Sequence, residues 1–181
     1  MPELRLPAPE LEASFAEAMA EFAAEGRGGP DDGSAIGRDL RAGIWRTNFP
    51  SYVDELLADR DPATTRWVPC TTWWWCAGET YLGRIALRHR LTDDLRRRGG
   101  HIGYDVRSSA RGRGHASAML AAVLPHAAAV GVDLALVTVD DTNAASRAVV
   151  VRNGGVPVGI HGRTVHYAVP TYAISRHQLH A

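Results

Sequence analysis

The apolar positions of the chain fall into short runs with two different periods. Leu11, Phe15, Met19 and Phe22 are spaced by four, four and three residues, which makes one stripe and predicts a helix over residues 10–25. The glycines and proline of residues 26–37 (Gly28, Gly29, Pro30 and Gly33 among them) break that helix and predict a loop. Pro50, followed by Tyr52, Val53, Leu56 and Leu57, predicts a short helix over residues 50–59 with proline in its first turn. Residues 67–87 are rich in Trp, Thr, Val, Tyr and Ile and are broken at Gly78-Glu79, the pattern of a hairpin. Residues 92–98 form a polar, arginine-rich connection of a helical turn or two. Alternation over residues 101–106 puts Ile102, Tyr104 and Val106 on one strand face and His101, Gly103 and Asp105 on the other. A polar turn then feeds an alanine-rich helix that runs to about residue 130. Pro125 is expected to kink or shorten it, and Gly131 to stop it. The continuous apolar run 134–139 reads as a strand buried on both faces. Residues 143–152 read as a helix stopped by Asn153-Gly154-Gly155, and residues 156–160 and 164–169 as two last strands around a His161-Gly162 turn. This order predicts a mixed α/β domain with no repeat and no dividing linker.

Composition fits that picture. A chain of 181 residues, 45% hydrophobic and 22% charged, suits one globular domain. We read residues 1–65 as helices on one side, 66–169 as the core sheet, and 170–181 as a tail. All 20 basic residues are arginine, against 20 acidic ones. A neutral total argues against a polyanion-binding protein and hence against nucleic acid. No apolar run approaches the roughly 18–20 residues of a membrane span, and the glutamate-dotted first 25 residues lack a signal-peptide core. Cys70 and Cys76 make no disulfide framework and no zinc site, and the eight histidines show no metal spacing, so no metal is assigned. A reduced, cytoplasmic protein is expected. The lack of lysine also removes Schiff-base lysine chemistry and the P-loop.

The chemistry concentrates in residues 101–130. A glycine-rich turn at a helix N-terminus offers backbone N–H groups without intrahelical partners, and the helix dipole favours an anion there. Gly112 and Gly114 let backbone approach a phosphate, and Arg107, Arg111 and Arg113 crowd the same turn. The alternative is a plain surface turn. A dinucleotide fingerprint fails, because Ser117 stands where its third glycine belongs.

Arg111-x-x-Gly114-x-Ala116 matches the [QR]-x-x-G-x-[GA] signature of the GCN5-related N-acetyltransferases, the GNAT superfamily. Two more landmarks follow in order: a strand and then Asn143-Ala144-Ala145-Ser146 opening a helix, and Asn153-Gly154-Gly155 after it. The chain resembles this family over residues 101–155, and by element order over about 66–169. In finer detail it looks like a little-described bacterial subgroup, on Gly83-Arg84-Ile85-Ala86-Leu87-Arg88-His89-Arg90-Leu91, Gly99-Gly100-His101-Ile102-Gly103-Tyr104 and Val106-Arg107-Ser108. The resemblance implies a central sheet whose middle strands splay, with flanking helices, and it implies acetyl-CoA as co-substrate. The amides of Arg111, Gly112, Arg113, Gly114, His115 and Ala116 would hold the pyrophosphate. The backbone from Tyr104 to Val106 would pair with the pantetheine arm, and Asn143 and Ser146 would lie on its other side. It also implies direct attack of an amine on the thioester, with one group taking a proton and another supplying one to the thiolate. Members are often dimers, so a homodimer is the assembly it suggests.

Two departures from the family pattern concern catalysis. The family's usual tyrosine acid, seven residues after the asparagine, is Val150 here. Ser146, Tyr104 and Tyr167 are the hydroxyls that could stand in. For the base, His101 and Asp105 are the candidates, and His101 is equally a structural histidine bonded to backbone. Trp73, Trp74, Trp75 and Tyr81 are either core or an aromatic wall for the acceptor. Asp54, Glu55 and Asp59 are either a solvated face or an attraction for a cationic amine. The expected activity is N-acetylation of a small-molecule amine, an amino compound or antibiotic. The alternatives are a protein or peptide amine, and a weakly catalytic acyl-CoA-binding module.

Overall fold

A computed structural model describes residues 1–172. Of the expected tail, residues 173–181, with His177 and His180, lie outside the described residues. A short strand, β1 (Glu3–Arg5), leads through a 3-10 turn into α1 (Glu12–Ala24), then α2 (Ala35–Ala42), α3 (Ile44–Thr47) and α4 (Phe49–Ala58). The hairpin β2 (Cys70–Ala77) and β3 (Thr80–Arg88) follows, then α5 (Asp93–Arg97), β4 (Ile102–Val106) and α6 (His115–Ala129). The chain continues through β5 (Leu134–Asp140), α7 (Ala144–Arg152), β6 (Val156–His161) and β7 (Thr164–Pro170).

Three elements differ from the sequence pattern. β1 has only three residues, too few to show a period, and is recruited by antiparallel pairing with Trp74, Trp75 and Cys76 of β2. α2 and α3 lie where the glycine-rich loop and unassigned chain were expected. Ser34 starts α2 by accepting the N–H of Gly37, and Gly43 in the left-handed region ends it, so the caps rather than an apolar stripe define the helix. α6, by contrast, runs through Pro125 to Ala129, close to the end expected near residue 130.

The central sheet is parted in two. β1-β2-β3-β4 form one antiparallel sheet and β5-β7-β6 another. The alternation of β2 sets the layers. Trp74 and Cys76 enter a cluster with Leu11, Phe15, Met19 and Phe22 of the N-terminal helices, together with Phe49 and Tyr52. Trp75 enters the other cluster, with Trp73 packed against it, among Met119, Leu120 and Val123 of α6, Val137 of β5 and Val150 of α7. The stripe read from residues 10–25 is therefore the face that α1 buries. The run 134–139 is not buried on both faces. Ala135, Val137 and Val139 are buried in the core, while Leu134 is 58% exposed and Leu136 and Thr138 are half-buried, because α6 and α7 pack on the inner face and the other face is covered less completely.

The exit of β4 is tied to α1 through one carboxylate. Arg107 Nε and Nη2 donate to Glu21 Oε1 at 2.9 and 2.5 Å. The hydroxyls of Ser108 and Ser109 and the N–H of Ser109 donate to the same carboxylate at 2.8–3.0 Å. Burial alone would raise the pKa of Glu21, but these donors, led by Arg107, bring it from 4.5 down to about 2.

Phe15 touches the rings of Trp45, Phe49, Tyr52, Trp74 and Tyr81 at 5.1–5.7 Å between centroids. Phe15→Ala is expected to cost about 3–5 kcal/mol in urea denaturation, with the loss coming from a cavity at the centre of the N-terminal cluster. The depressed pKa of Glu21 stabilises the fold above its unfolded value. That contribution is lost as pH falls from about 5 towards 2, so acid titration of stability should show a carboxylate step that Glu21→Gln removes.

Candidate active site

β4 borders β3 on one side only. His101 O accepts from Arg88 N and Arg107 N donates to Leu82 O, so the odd-numbered residues direct their backbone groups to β3. Ile102, Tyr104 and Val106 then direct theirs to the other edge, where β5 stands apart. Contact between the two sheets is concentrated at the start of β4. His101 N donates to Leu136 O at 2.7 Å and Gly99 N to Thr138 Oγ1 at 2.9 Å. At Gly100 a Cβ would lie 2.3 Å from Leu136 O, so the approach of the two strands requires glycine there. Beyond this junction no hydrogen bond joins β4 to β5 among the described residues, and the gap between the two strands along Tyr104 forms a slot.

The slot ends at the turn before α6. Gly112 (φ +76°) and Gly114 (φ +81°) adopt a conformation that side-chain-bearing residues rarely take. The N–H groups from Gly114 to Ser117 find no acceptor among the described residues; the first helical bond is Ala118 N to Gly114 O. Four such amides at a helix N-terminus, next to a free strand edge, fit a pyrophosphate and the amide-bearing arm of a CoA. The arginines behave differently from the expectation. Arg107 is buried against Glu21. Arg111 lies with Nε on Val106 O at 2.9 Å and its two Nη groups on Glu25. Of the three, only Arg113 makes no ion pair among the described residues. Glu25 and Glu21 sit at the end of α1, a placement invisible in a sequence that separates them from the turn by 86 residues. The side chain of His115 turns inward, its Nδ1 accepting from Trp75 Nε1 at 3.3 Å, and Ala116 packs against the core.

Across the slot, Tyr104, Asn143 and Ser146 come together. The hydroxyls of Tyr104 and Ser146 are 2.6 Å apart, and Asn143 Oδ1 accepts the N–H of Ser146 at 3.0 Å, capping α7. Burial lifts the Tyr104 pKa to about 12 against the lowering effect of Ser146. Val150 is fully buried in the core and does not reach the slot. Tyr167 is also buried, its hydroxyl accepting from Arg147 Nε at 3.1 Å.

His101 stands at the junction. Its Nδ1 accepts the N–H of Leu136 at 2.9 Å, while burial and the nearby Arg96 and Arg88 hold its pKa below the ordinary value. A neutral ring with that lone pair engaged carries its proton on Nε2 and has no free site for another. Asp105, on the opposite face of β4 from Tyr104, is half-buried and faces the N-terminal helices. It accepts from Arg27 Nη2 at 3.1 Å. Around it lie Asp32, Asp39, Arg84 and Tyr52. Arg84 Nη1 and the Tyr52 hydroxyl both donate to Asp39 Oδ2, at 2.5 and 2.8 Å. Sequence reading missed this group. The signal was Arg84 itself, a lone charge inside an apolar strand, which when buried needs a carboxylate from elsewhere. Asp54, Glu55 and Asp59 are exposed. The tryptophans serve packing: Trp74 in the N-terminal cluster, Trp75 on His115, Trp73 on His126. Trp67, 84% exposed, belongs to neither core. Among the described residues no three His, Cys, Asp or Glu group closely enough to hold a metal, and no helix is long and apolar enough to cross a membrane.

Comparison with solved structures places this fold. Mycobacterium smegmatis RimJ, in complex with a CoA disulfide, superposes with a TM-score of 0.67 at 23% identity, over 92% of this chain and 80% of that one. A Salmonella typhimurium acetyltransferase, described as modifying the N-terminal serine of 50S ribosomal subunit protein L7/L12, gives 0.62 at 17% identity, over 93% and 94%. The microcin C7 self-immunity acetyltransferase MccE, in complex with acetyl-CoA and AMP, gives 0.61 at 13% identity, over 92% and 91%. No curated protein matches the chain by sequence. The model of the acetyltransferase (GNAT) domain matches residues 44–156, more than half of the chain, and the protein therefore belongs to the GNAT family of acetyl-CoA-dependent N-acetyltransferases.

Proposed function

We propose that the chain acetylates the primary amine of a small molecule, with Asp105 as proton acceptor and the Tyr104–Ser146 pair facing the thiolate. The observation that carries the reading is the meeting of the β4 edge with four amides, Gly114 to Ser117, both without backbone partners among the described residues. Acetyl-CoA, when bound, supplies the acetyl group as an activated thioester. The amides at the start of α6 would take its pyrophosphate, and the backbone N–H and C=O of Tyr104 its pantetheine arm. Ser146 can donate its hydroxyl proton towards the sulfur while Tyr104 donates to the Ser146 oxygen, so a hydroxyl pair replaces the acid lost at Val150. Asp105 fits the base better than His101, because a carboxylate keeps free lone pairs where His101 has spent its own on Leu136.

Support for a compact acceptor comes from the loop between α1 and α2, which Arg27 pins to Asp105. The carboxylate is only 17% exposed, a confined approach for a folded partner. A second reading, a peptide α-amine, is favoured by the likeness to the acetyltransferase that modifies an N-terminal serine.

Calorimetry should show CoA binding to the wild type. Gly114→Val, which forces a β-branched residue to φ near +81° among the amides, should weaken it at least about tenfold. No CoA binding by the folded wild type would refute the assignment. With a panel of small amines and an N-terminal serine peptide, Asp105→Asn should lower kcat/KM about 10²–10⁴-fold, and Ser146→Ala by less. His101→Ala should leave the pH–rate profile in place; a profile shifted by His101→Ala and untouched by Asp105→Asn would reverse the base assignment. No turnover on any amine would leave an acyl-CoA-binding module.

A further inference from the structure

The loop between α1 and α2 closes around one arginine. Asp32 accepts from Arg27 Nε at 2.8 Å and from the N–H groups of Gly28 and Ser34 at 3.1 and 3.0 Å. Arg27 Nη2 donates to Ser34 Oγ at 2.6 Å, and also to Asp105 Oδ1 at 3.1 Å, 78 residues further along the chain. Two of the three partners of this side chain therefore lie in its own loop, and the third is on β4. Asp105 Oδ2 has no hydrogen-bond partner among the described residues.

The two cations on this face are held very differently. The side chain of Arg84 is 5% exposed and sits 2.5 Å from Asp39, so removing that carboxylate would strand a buried charge. The Arg27 side chain is 27% exposed, is longer-bonded to Asp105, and keeps Asp32 at 2.8 Å if that bond opens. Asp32 and Asp105 share Arg27, Asp39 holds Arg84, and the exposed Arg41 donates to the backbone O of Asp32 from the loop's outer side. An incoming ammonium can thus take Asp105 from Arg27 and leave every buried charge paired.

We propose that Arg27 is a built-in competitor of the acceptor: its guanidinium occupies the carboxylate that an incoming primary ammonium takes over, and so sets the affinity for cationic amines. Arg27 is on this account a specificity-determining residue that acts through Asp105, and an uncharged nucleophile gains nothing from displacing it. The inference rests on the acetyltransferase reading above and on Asp105 facing the acceptor.

The test is steady-state kinetics of the full chain at neutral pH with saturating acetyl-CoA and two probes. Ethylamine is an ammonium at that pH and hydroxylamine is uncharged. Arg27→Gln should lower the KM for ethylamine about fivefold, with the effect falling on KM rather than kcat, and leave hydroxylamine unmoved. Arg27→Lys keeps a competing cation without the planar fork, and should return KM towards the wild-type value. CoA affinity measured alongside shows that each variant is folded. A KM for ethylamine unchanged or raised in Arg27→Gln, an equal shift for hydroxylamine, or Arg27→Lys behaving like Arg27→Gln would each overturn the proposal while leaving the acetyltransferase reading intact. A wild type that binds CoA but acetylates neither probe nor any amine of the panel would refute that reading, and this inference with it.

Discussion

β4 is the last strand of the first sheet, and beyond its start its outer edge has no strand partner among the described residues; backbone groups left without partners away from water are expensive. The structure tolerates the gap because the two sheets meet near one end of β4, at His101–Leu136 and Gly99–Thr138, and stay apart beyond it. Most of the site follows from that arrangement. The open edge offers Tyr104 N–H and C=O to a ligand, the turn beyond it offers amides, and α7 brings hydroxyls to the far side. A ligand that pairs with strand and turn together completes the sheet that the protein leaves incomplete.

Holding such a gap requires rigid walls. The N-terminal cluster around Phe15 fixes α1 against the outer face of the first sheet, and α1 in turn anchors the exit of β4 through Glu21 and Glu25. The same carboxylates withdraw Arg107 and Arg111 from the phosphate turn. On the proposed reading, an anion there would be held by oriented amides and the helix dipole, helped by Arg113, rather than by a basic patch. Three arginines of the sheet and turn, Arg84, Arg107 and Arg111, are thus neutralised by carboxylates of the N-terminal helices and their ends.

His101 carries two readings in the sequence, a base and a histidine bonded to backbone. Its position at the start of β4 suits a base, but its ring accepts the N–H of Leu136 at the junction of the sheets. Alternation along β4 turns Asp105, the base of our proposal, to the side where the N-terminal helices stand, with Arg27 bonded to it.

The sequence alone was enough for the period-3.6 stripe of α1, the hairpin, β4 and the glycine turn, the helices around Pro125 and after Asn143, and the family landmarks. Each of these is a local pattern, in which side-chain period, glycine conformation and capping are set by neighbours a few residues away. Three things depended on the tertiary structure. β1 and α2 have little pattern of their own and exist through pairing and caps. Val150, at the position of the missing acid, faces the core. Arg107 and Arg111 of the turn, and Arg84 and Arg27 beside Asp105, each meet a carboxylate 45 to 86 positions away. A charge has no period in the sequence, and which opposite charge it meets is decided only when the layers pack.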